Sequence, residues 1–229
     1  MCGRYTLTQP AEVLAEAFDV SDYVELQPRY NIAPTQDVAV IGRNHEGRRT
    51  LGLMRWGLIP SWAKDPTIGN RMINARGESA AEKPAFRSSF KSRRCLVPAD
   101  GFYEWKKQGS GSKQPYYIRM KDHHPFAFAG LWSRWRPKAT DGADAGEPIL
   151  SCTLLTTSPN PLMAEIHDRM PVILHPEHYD FWLNPDNQDA EALNRLLVPY
   201  EPEAMEAYPI STMVNRPGNE GPRLIEPLT

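Results

Sequence analysis

Apolar residues alternate over short stretches in the middle of the chain and recur at helical spacing nearer its ends. QPAEVLAEAF (9–18) predicts a helix with Val13, Leu14, Ala17 and Phe18 on one face and Thr8 as its N-cap. DVAVIG (37–42) and TLGLMRWG (50–57) read as strands on either side of the turn-like RNHEGR. RCLVPADGFYEW (94–105) predicts strand, turn and strand, with Pro98, Ala99, Asp100 and Gly101 supplying the turn. PYYIRM (115–120) and PFAFAGLW (125–132) predict a pair of strands joined by residues 121–124, and PILSCTLLTT (148–157) a strongly apolar strand. PNPLMAEI (159–166), PEHYDFWL (176–183) and QDAEALNRLL (188–197) predict short helices, whereas PKATDGADAGE (137–147) reads as a polar loop.

Strands therefore crowd the middle and short helices flank them. There is no regular βαβ alternation, no GxGxxG and no P-loop, which disfavours a nucleotide-binding α/β fold. The expected fold class is α+β: a single domain over residues 1–229 with a mixed, twisted, barrel-like β core and short peripheral helices. A length of 229 residues and a hydrophobic content of 41% are enough for one packed core. No apolar run approaches the roughly 18–20 residues of a membrane span. No apolar stretch follows Arg4 as in a signal peptide, so a cytoplasmic location is expected.

Charge changes this picture only locally. A net charge of −2 argues against a generic polyanion binder. Yet KPAFRSSFKSRR (83–94) carries Lys83, Arg87, Lys91, Arg93 and Arg94 with no acid, and reads either as a solvated face or as a phosphate-facing patch. The three cysteines show no CxxC spacing, so neither a disulfide framework nor a structural zinc site is expected, and no cofactor motif is present. Cys95 and Cys152 lie in apolar strands and read as core. Cys2 has no apolar sequence around it.

Position gives Cys2 its chemical interest. A small second residue permits removal of Met1, which would leave an α-amine and a thiol on adjacent carbons. These titrate near about 7.7–8.0 and about 8.5, so both are partly deprotonated near neutral pH. Such a 1,2-aminothiol condenses with an aldehyde to an imine, and its thiol then closes a thiazolidine ring. Asn74 and Arg76 in RMINARGES could orient an amine or oxyanion and take a phosphate, though an Asn there also suits a turn. Glu104 stands among Phe102, Tyr103 and Trp105, where a carboxylate is expected to have a raised pKa, or else faces solvent from a strand. His167, with Asp168 and Arg169 beside it, is an acid–base candidate or a structural histidine. His123, His124, His175 and His178 lack a third ligand at metal spacing and read as surface residues. Trp56, Trp62 and Trp105 are candidate stacking surfaces for bases, or core.

MCGR, RYNIAPTQ (29–36), RWGLIPSWA (55–63), INARGES (73–79), FRSSFKSRRCLVPADGFYEW (86–105) and IHDRMPVIL (166–174) together resemble the SRAP family. Its members are the SOS-response-associated peptidases, or abasic-site processing proteins, and the likeness runs in order over about residues 1–215. The resemblance implies a twisted, barrel-like core with a DNA groove. It implies a protein that senses abasic sites in single-stranded DNA and forms a thiazolidine crosslink through Cys2 after Met1 is lost. The family's catalytic positions fall on Cys2, Asn74, Glu104 and His167. Arg4, Arg76 and Arg169 are the implied phosphate contacts. Pro34, Trp62 and Trp105 are the implied stacking or groove-lining residues. The implied partner is single-stranded DNA containing abasic sites, with no membrane, no metal and no cofactor. A monomer suffices, cytoplasmic and nucleoid-associated when DNA is damaged. Three other readings stay open: a cysteine peptidase pairing Cys2 with His167, an N-terminal-nucleophile amidohydrolase, and a module that binds single strands without chemistry. Amidohydrolases that begin Met-Cys-Gly commonly continue with Ile, where this chain has Arg4.

Overall fold

A computed structural model describes residues 2–109, 111–137 and 146–228. The polar loop expected at 137–147 lies mostly outside the described residues. The β core is a closed, mixed barrel of five strands. Asp37–Arg43 and Arg49–Trp56 form the expected antiparallel hairpin. Arg94–Ala99 pairs with Phe126–Trp135, which pairs in turn with Ile149–Thr157. The ring closes where Ile149–Thr157 meets Arg49–Trp56 in parallel at Cys152↔Trp56, and where Arg94–Ala99 touches Asp37–Arg43 at Ile41↔Leu96. Closure explains why every residue of Arg94–Ala99 is buried. One face packs inside the barrel and the other lies under covering elements, so the strand reads as an unbroken apolar run rather than an alternation.

A second sheet wraps this barrel in the order Met205–Pro209, Ser112–Met120, Gly101–Gln108, Tyr5–Leu7 and Arg29–Ile32. Two sequence expectations change here. Residues 98–101 are not a hairpin turn: the first strand runs through Pro98 and Ala99, and after Asp100 the chain enters the other sheet. Likewise Ser112–Met120 and Phe126–Trp135 belong to different sheets, so residues 121–124 carry a crossing and not a hairpin. Apolar alternation locates a strand, but its partner is chosen by long-range packing. The crossing at Gly101 requires glycine, because a Cβ there would stand 2.1 Å from the Tyr117 hydroxyl oxygen.

The first helix, Ala11–Phe18, buries Ala11, Leu14 and Phe18, a stripe at i, i+3 and i+7, and leaves Val13 and Ala17 exposed. Pro10 occupies its N-cap without a side-chain hydrogen bond. Thr8 does not cap the helix, because its N–H and hydroxyl both donate to Asp100, at 2.5 and 2.6 Å. Pro161–Ala164, Tyr179–Leu183 and Ala190–Asn194 fall where short helices were expected. No helix among the described residues is long and apolar enough to cross a membrane.

The basic stretch 83–94 divides. Lys83, Arg87 and Lys91 are exposed, but Arg94 is buried. Arg94 donates to the carbonyls of Trp182 (2.6 Å), Phe90 (2.7 Å), Lys91 (2.7 Å), Asn187 (2.9 Å) and Asn184. These use all five guanidinium N–H groups and tie Arg87–Ser92 to the chain around Tyr179–Leu183. Burial pulls its pKa down to about 10, so it remains charged at neutral pH. Arg94→Lys keeps the charge but has only three donors, so it is expected to cost about 2–4 kcal/mol through carbonyls left without partners. Urea unfolding checks this, and an unchanged midpoint would contradict the clamp.

Candidate active site

The Tyr5–Leu7 strand lies between Gly101–Gln108 and Arg29–Ile32, with Tyr5↔Phe102 in register on one side and Tyr5↔Ile32 on the other. The Tyr103 N–H extends the ladder by donating to the Arg4 carbonyl at 3.0 Å. Pairing thus draws the N-terminal segment along the strand that carries Glu104. Cys2 is fully buried among the main core residues, contrary to the sequence expectation that it lacks an apolar setting. Its neighbours are supplied by tertiary packing and not by flanking sequence.

Asn74 begins the short strand Asn74–Arg76, which runs parallel to Ile149–Thr157 with Leu154↔Asn74 in register. Its Nδ2 donates to the Cys2 carbonyl at 2.7 Å. Its Oδ1 is buried and accepts no hydrogen bond among the described residues. Glu104 is buried with its carboxylate 4.0 Å from His167 Nε2. His167 follows the helix Pro161–Ala164, its N–H donating to the Met163 carbonyl at 2.8 Å. The four residues marked as catalytic candidates thus form two contacting pairs, Asn74 with Cys2 and His167 with Glu104, and Glu104 lies near enough to the Cys2 thiol to act on it electrostatically.

Two neighbours compete for His167 Nδ1. The Arg169 backbone N–H donates to it at 3.1 Å, which requires a lone pair there. The Asp168 carboxylate stands 2.9 Å from the same atom, a contact that is attractive only when Nδ1 carries a proton. Both protonation states of the ring thus have a partner. Nε2 faces Glu104 in either case.

Burial raises the pKa of the Glu104 carboxyl, and the nearby His167 opposes the rise. Burial also pushes the Cys2 thiol up, and the negative charge of Glu104 adds to the effect. Both influences favour the protonated thiol while Met1 is in place.

The remaining candidates are placed differently. Arg76 is exposed. Arg4 is half-buried and donates inward, to Asn31 Oδ1 at 2.7 Å and the Val214 carbonyl at 2.9 Å. Arg169 forms a bidentate pair with Glu78 at 2.6 and 2.9 Å and also donates to the Thr156 carbonyl at 2.7 Å. Pro34 is half-buried in the turn before Thr35, whose φ is +70°. Trp62 is 57% exposed, and Trp105 is half-buried with Nε1 donating to Asn215 Oδ1 at 2.8 Å. Trp56 is core and no stacking surface: it is fully buried, its Nε1 bonded to the Ile73 carbonyl at 2.8 Å. A cavity of about 550 Å³ opens beside His167, between residues 105–107 and residues 164–168. No cluster of His, Cys, Asp and Glu that could hold a metal ion occurs among the described residues.

Sequence reasoning missed two supports of this site. Asn31 is buried, and its Nδ2 donates to the carbonyls of Val214 (3.3 Å), Arg216 (2.9 Å) and Asn219 (2.9 Å), so the C-terminal segment is strapped against Arg4. Asp100, read only as a turn residue, fixes the N-terminal strand through Thr6 and Thr8. The signal for both is a polar residue inside an otherwise apolar run.

A carboxyl whose pKa is higher folded than unfolded favours folding only while it is protonated. Glu104 therefore costs no stability below about pH 4, where both states hold the proton. Its cost grows as pH rises through the folded value. Glu104→Gln is accordingly expected to be more stable than the parent at pH 7, with the gap closing at acid pH. Thermal melts at the two pH values check this, and a variant less stable at pH 7 would contradict it.

Comparison with known proteins gives a consistent picture. The chain is 47% identical over 229 residues to a Bacillus subtilis protein called abasic site processing protein YoqW, covering 99% of each chain. It is 31% identical to the Escherichia coli abasic site processing protein YedK, with all of both chains covered. A crystal structure of a Bacteroides thetaiotaomicron protein superposes with a TM-score of 0.87 at 30% identity, covering 100% of both chains. The sequence model described as SOS response associated peptidase (SRAP) matches residues 1–217. The chain belongs to the SRAP family.

Proposed function

We propose that this protein captures abasic sites in single-stranded DNA as a covalent thiazolidine on Cys2, after Met1 has been removed, and so shields the site from strand breakage. The observation that carries this reading is the bond from Asn74 to the Cys2 carbonyl beside the Glu104–His167 pair. It holds an N-terminal residue, and not merely a thiol, against acid–base groups. The names of the relatives YoqW and YedK support abasic sites as the substrate.

The chemistry begins with the closed hemiacetal of the abasic deoxyribose. His167 donates a proton to the ring oxygen as the C1′–O4′ bond breaks, and the C1′ hydroxyl gives its proton to Glu104, which leaves the open-chain aldehyde. The Cys2 amine attacks C1′, oriented by Asn74, whose unused Oδ1 can accept an amine hydrogen. Glu104 moves protons as the carbinolamine loses one water to become an iminium ion. The Cys2 thiol gives its proton to Glu104 while sulfur bonds to C1′, and the C=N electron pair returns to nitrogen. The amine reacts first and sulfur closes the ring second. Ring closure removes the iminium that would otherwise drive β-elimination.

Arg76 is open to a phosphate, and Arg169 reaches one by exchanging Glu78 for it. Arg4 borders the site from its strapped position, while Pro34, Trp62 and Trp105 line the path of flanking bases. No cofactor, metal or second subunit is required, and the cytoplasm, at damaged nucleoid DNA, is the place of action.

Denaturing gels with abasic single-stranded DNA test the proposal. The parent is expected to give a heat-stable adduct and Cys2→Ala none. Asn74→Ala is expected to slow adduct formation about 100-fold through lost orientation. An equal yield of heat-stable adduct from Cys2→Ala would refute the mechanism.

A further inference from the structure

Three lysines next to the site are not used by this chemistry. Gly101–Gln108 and Ser112–Met120 form a hairpin that projects past Glu104, with Lys106↔Gln114 and Lys107↔Lys113 in register. Lys106 lies two residues beyond Glu104 and so shares its strand face. Its Nζ sits 6.0 Å from the centre of the Tyr116 ring, a cation–π approach that steadies the side chain. Lys107 and Lys113 oppose one another directly across the ladder, an arrangement that repels. The sequence from Trp105 to Met120 contains no acid to relieve it. Among the described residues, none of the three lysines takes part in an ion pair.

All three line the cavity of about 550 Å³ that ends at His167. The opposite wall carries the exposed carboxylates of Glu165 and Asp168. An extended polyanion entering this cavity is thus repelled from one side and attracted to the other. Trp105, between Glu104 and Lys106, offers a ring for the base that accompanies such a phosphate.

We propose that Lys106, Lys107 and Lys113 form a phosphate subsite for the DNA strand next to the abasic sugar, a proposal that rests on the DNA-capture reading above. The unrelieved Lys107–Lys113 pair is then a site prepared for an anion, one whose cost to the free protein is recovered when a phosphodiester binds between the two ammonium groups.

The test measures equilibrium binding of an intact single-stranded oligonucleotide, and of one carrying a tetrahydrofuran abasic analogue that has no aldehyde to capture, over a range of salt concentrations. It uses the full chain and the double variant Lys107→Gln/Lys113→Gln. Loss of two phosphate contacts is expected to reduce the slope of log K against log salt by about 1.4, at roughly 0.7 per contact. Both oligonucleotides should be affected alike. The melting temperature of the variant is expected to hold or rise, because a repulsive pair is removed. An unchanged slope overturns the subsite. So does a lowered melting temperature, which would mean that the lysines balance Glu165 and Asp168 across the cavity. A reduced slope in a protein that forms no adduct would support the subsite while removing the covalent reading, so the two failures are distinguishable.

Discussion

The Asp100 carboxylate holds the N-terminal strand in place, and the site depends on that hold. It accepts from the Thr6 hydroxyl through one oxygen and from the Thr8 N–H and hydroxyl through the other, while its own N–H donates to the Thr6 carbonyl at 3.1 Å. The Thr6 hydroxyl also meets the Tyr117 hydroxyl at 2.9 Å, so the clip reaches the neighbouring strand. A three-residue strand at a chain end would ordinarily fray. Here it is paired on both sides and pinned at its exit, which leaves Cys2 little freedom. Asp100 is also where the chain leaves the barrel for the second sheet, so one residue sets both the topology and the position of the terminus.

Burial then tunes what the fixed terminus can do. Glu104 is held in the core at a cost to stability, and in return its carboxyl is able to carry a proton nearer neutral pH. Its charge and the same burial favour the protonated Cys2 thiol while Met1 is in place. Asn74 completes the set by gripping the Cys2 carbonyl, so the residue is restrained through its backbone, and its thiol makes only a long contact of 3.8 Å to the Arg4 carbonyl. The outer arginines show the same economy of contacts. Arg169 is engaged by Glu78, and Arg4 by Asn31 and the C-terminal strap, so these cations hold the walls of the site together even without DNA.

Much of this was legible in the sequence, for reasons that can be named. The strands at 37–42 and 148–157 announce themselves because barrel closure buries them as apolar runs, the strand at 50–57 is marked by its apolar residues although only Leu51 and Trp56 are buried, and the α+β class followed from them. The convergence of Cys2, Asn74, Glu104 and His167 followed from a motif resemblance; spacing alone left Asn74, Glu104 and His167 each with a structural alternative. Partner choice was not legible: residues 98–101 and 121–124 look like hairpin turns but change sheets, because a local pattern carries no record of which distant strand pairs. Thr8 was misread as a cap since the competing acceptor, Asp100, is remote in sequence. Arg94 looked like one more surface cation until five carbonyls were seen to converge on it. Trp56 and Trp62 are alike in sequence and opposite in exposure, a difference set by barrel closure at Trp56.

The account rests on Cys2 acting as a free N-terminal aminothiol, and the intact mass of the adduct tests that most directly. After incubation with abasic single-stranded DNA, the adduct should weigh as much as the chain without Met1 plus the oligonucleotide, less one water. Treatment with borohydride should leave that mass unchanged, because a thiazolidine has no C=N bond to reduce. An adduct that retains Met1, or one that gains two hydrogens on reduction, would contradict the account.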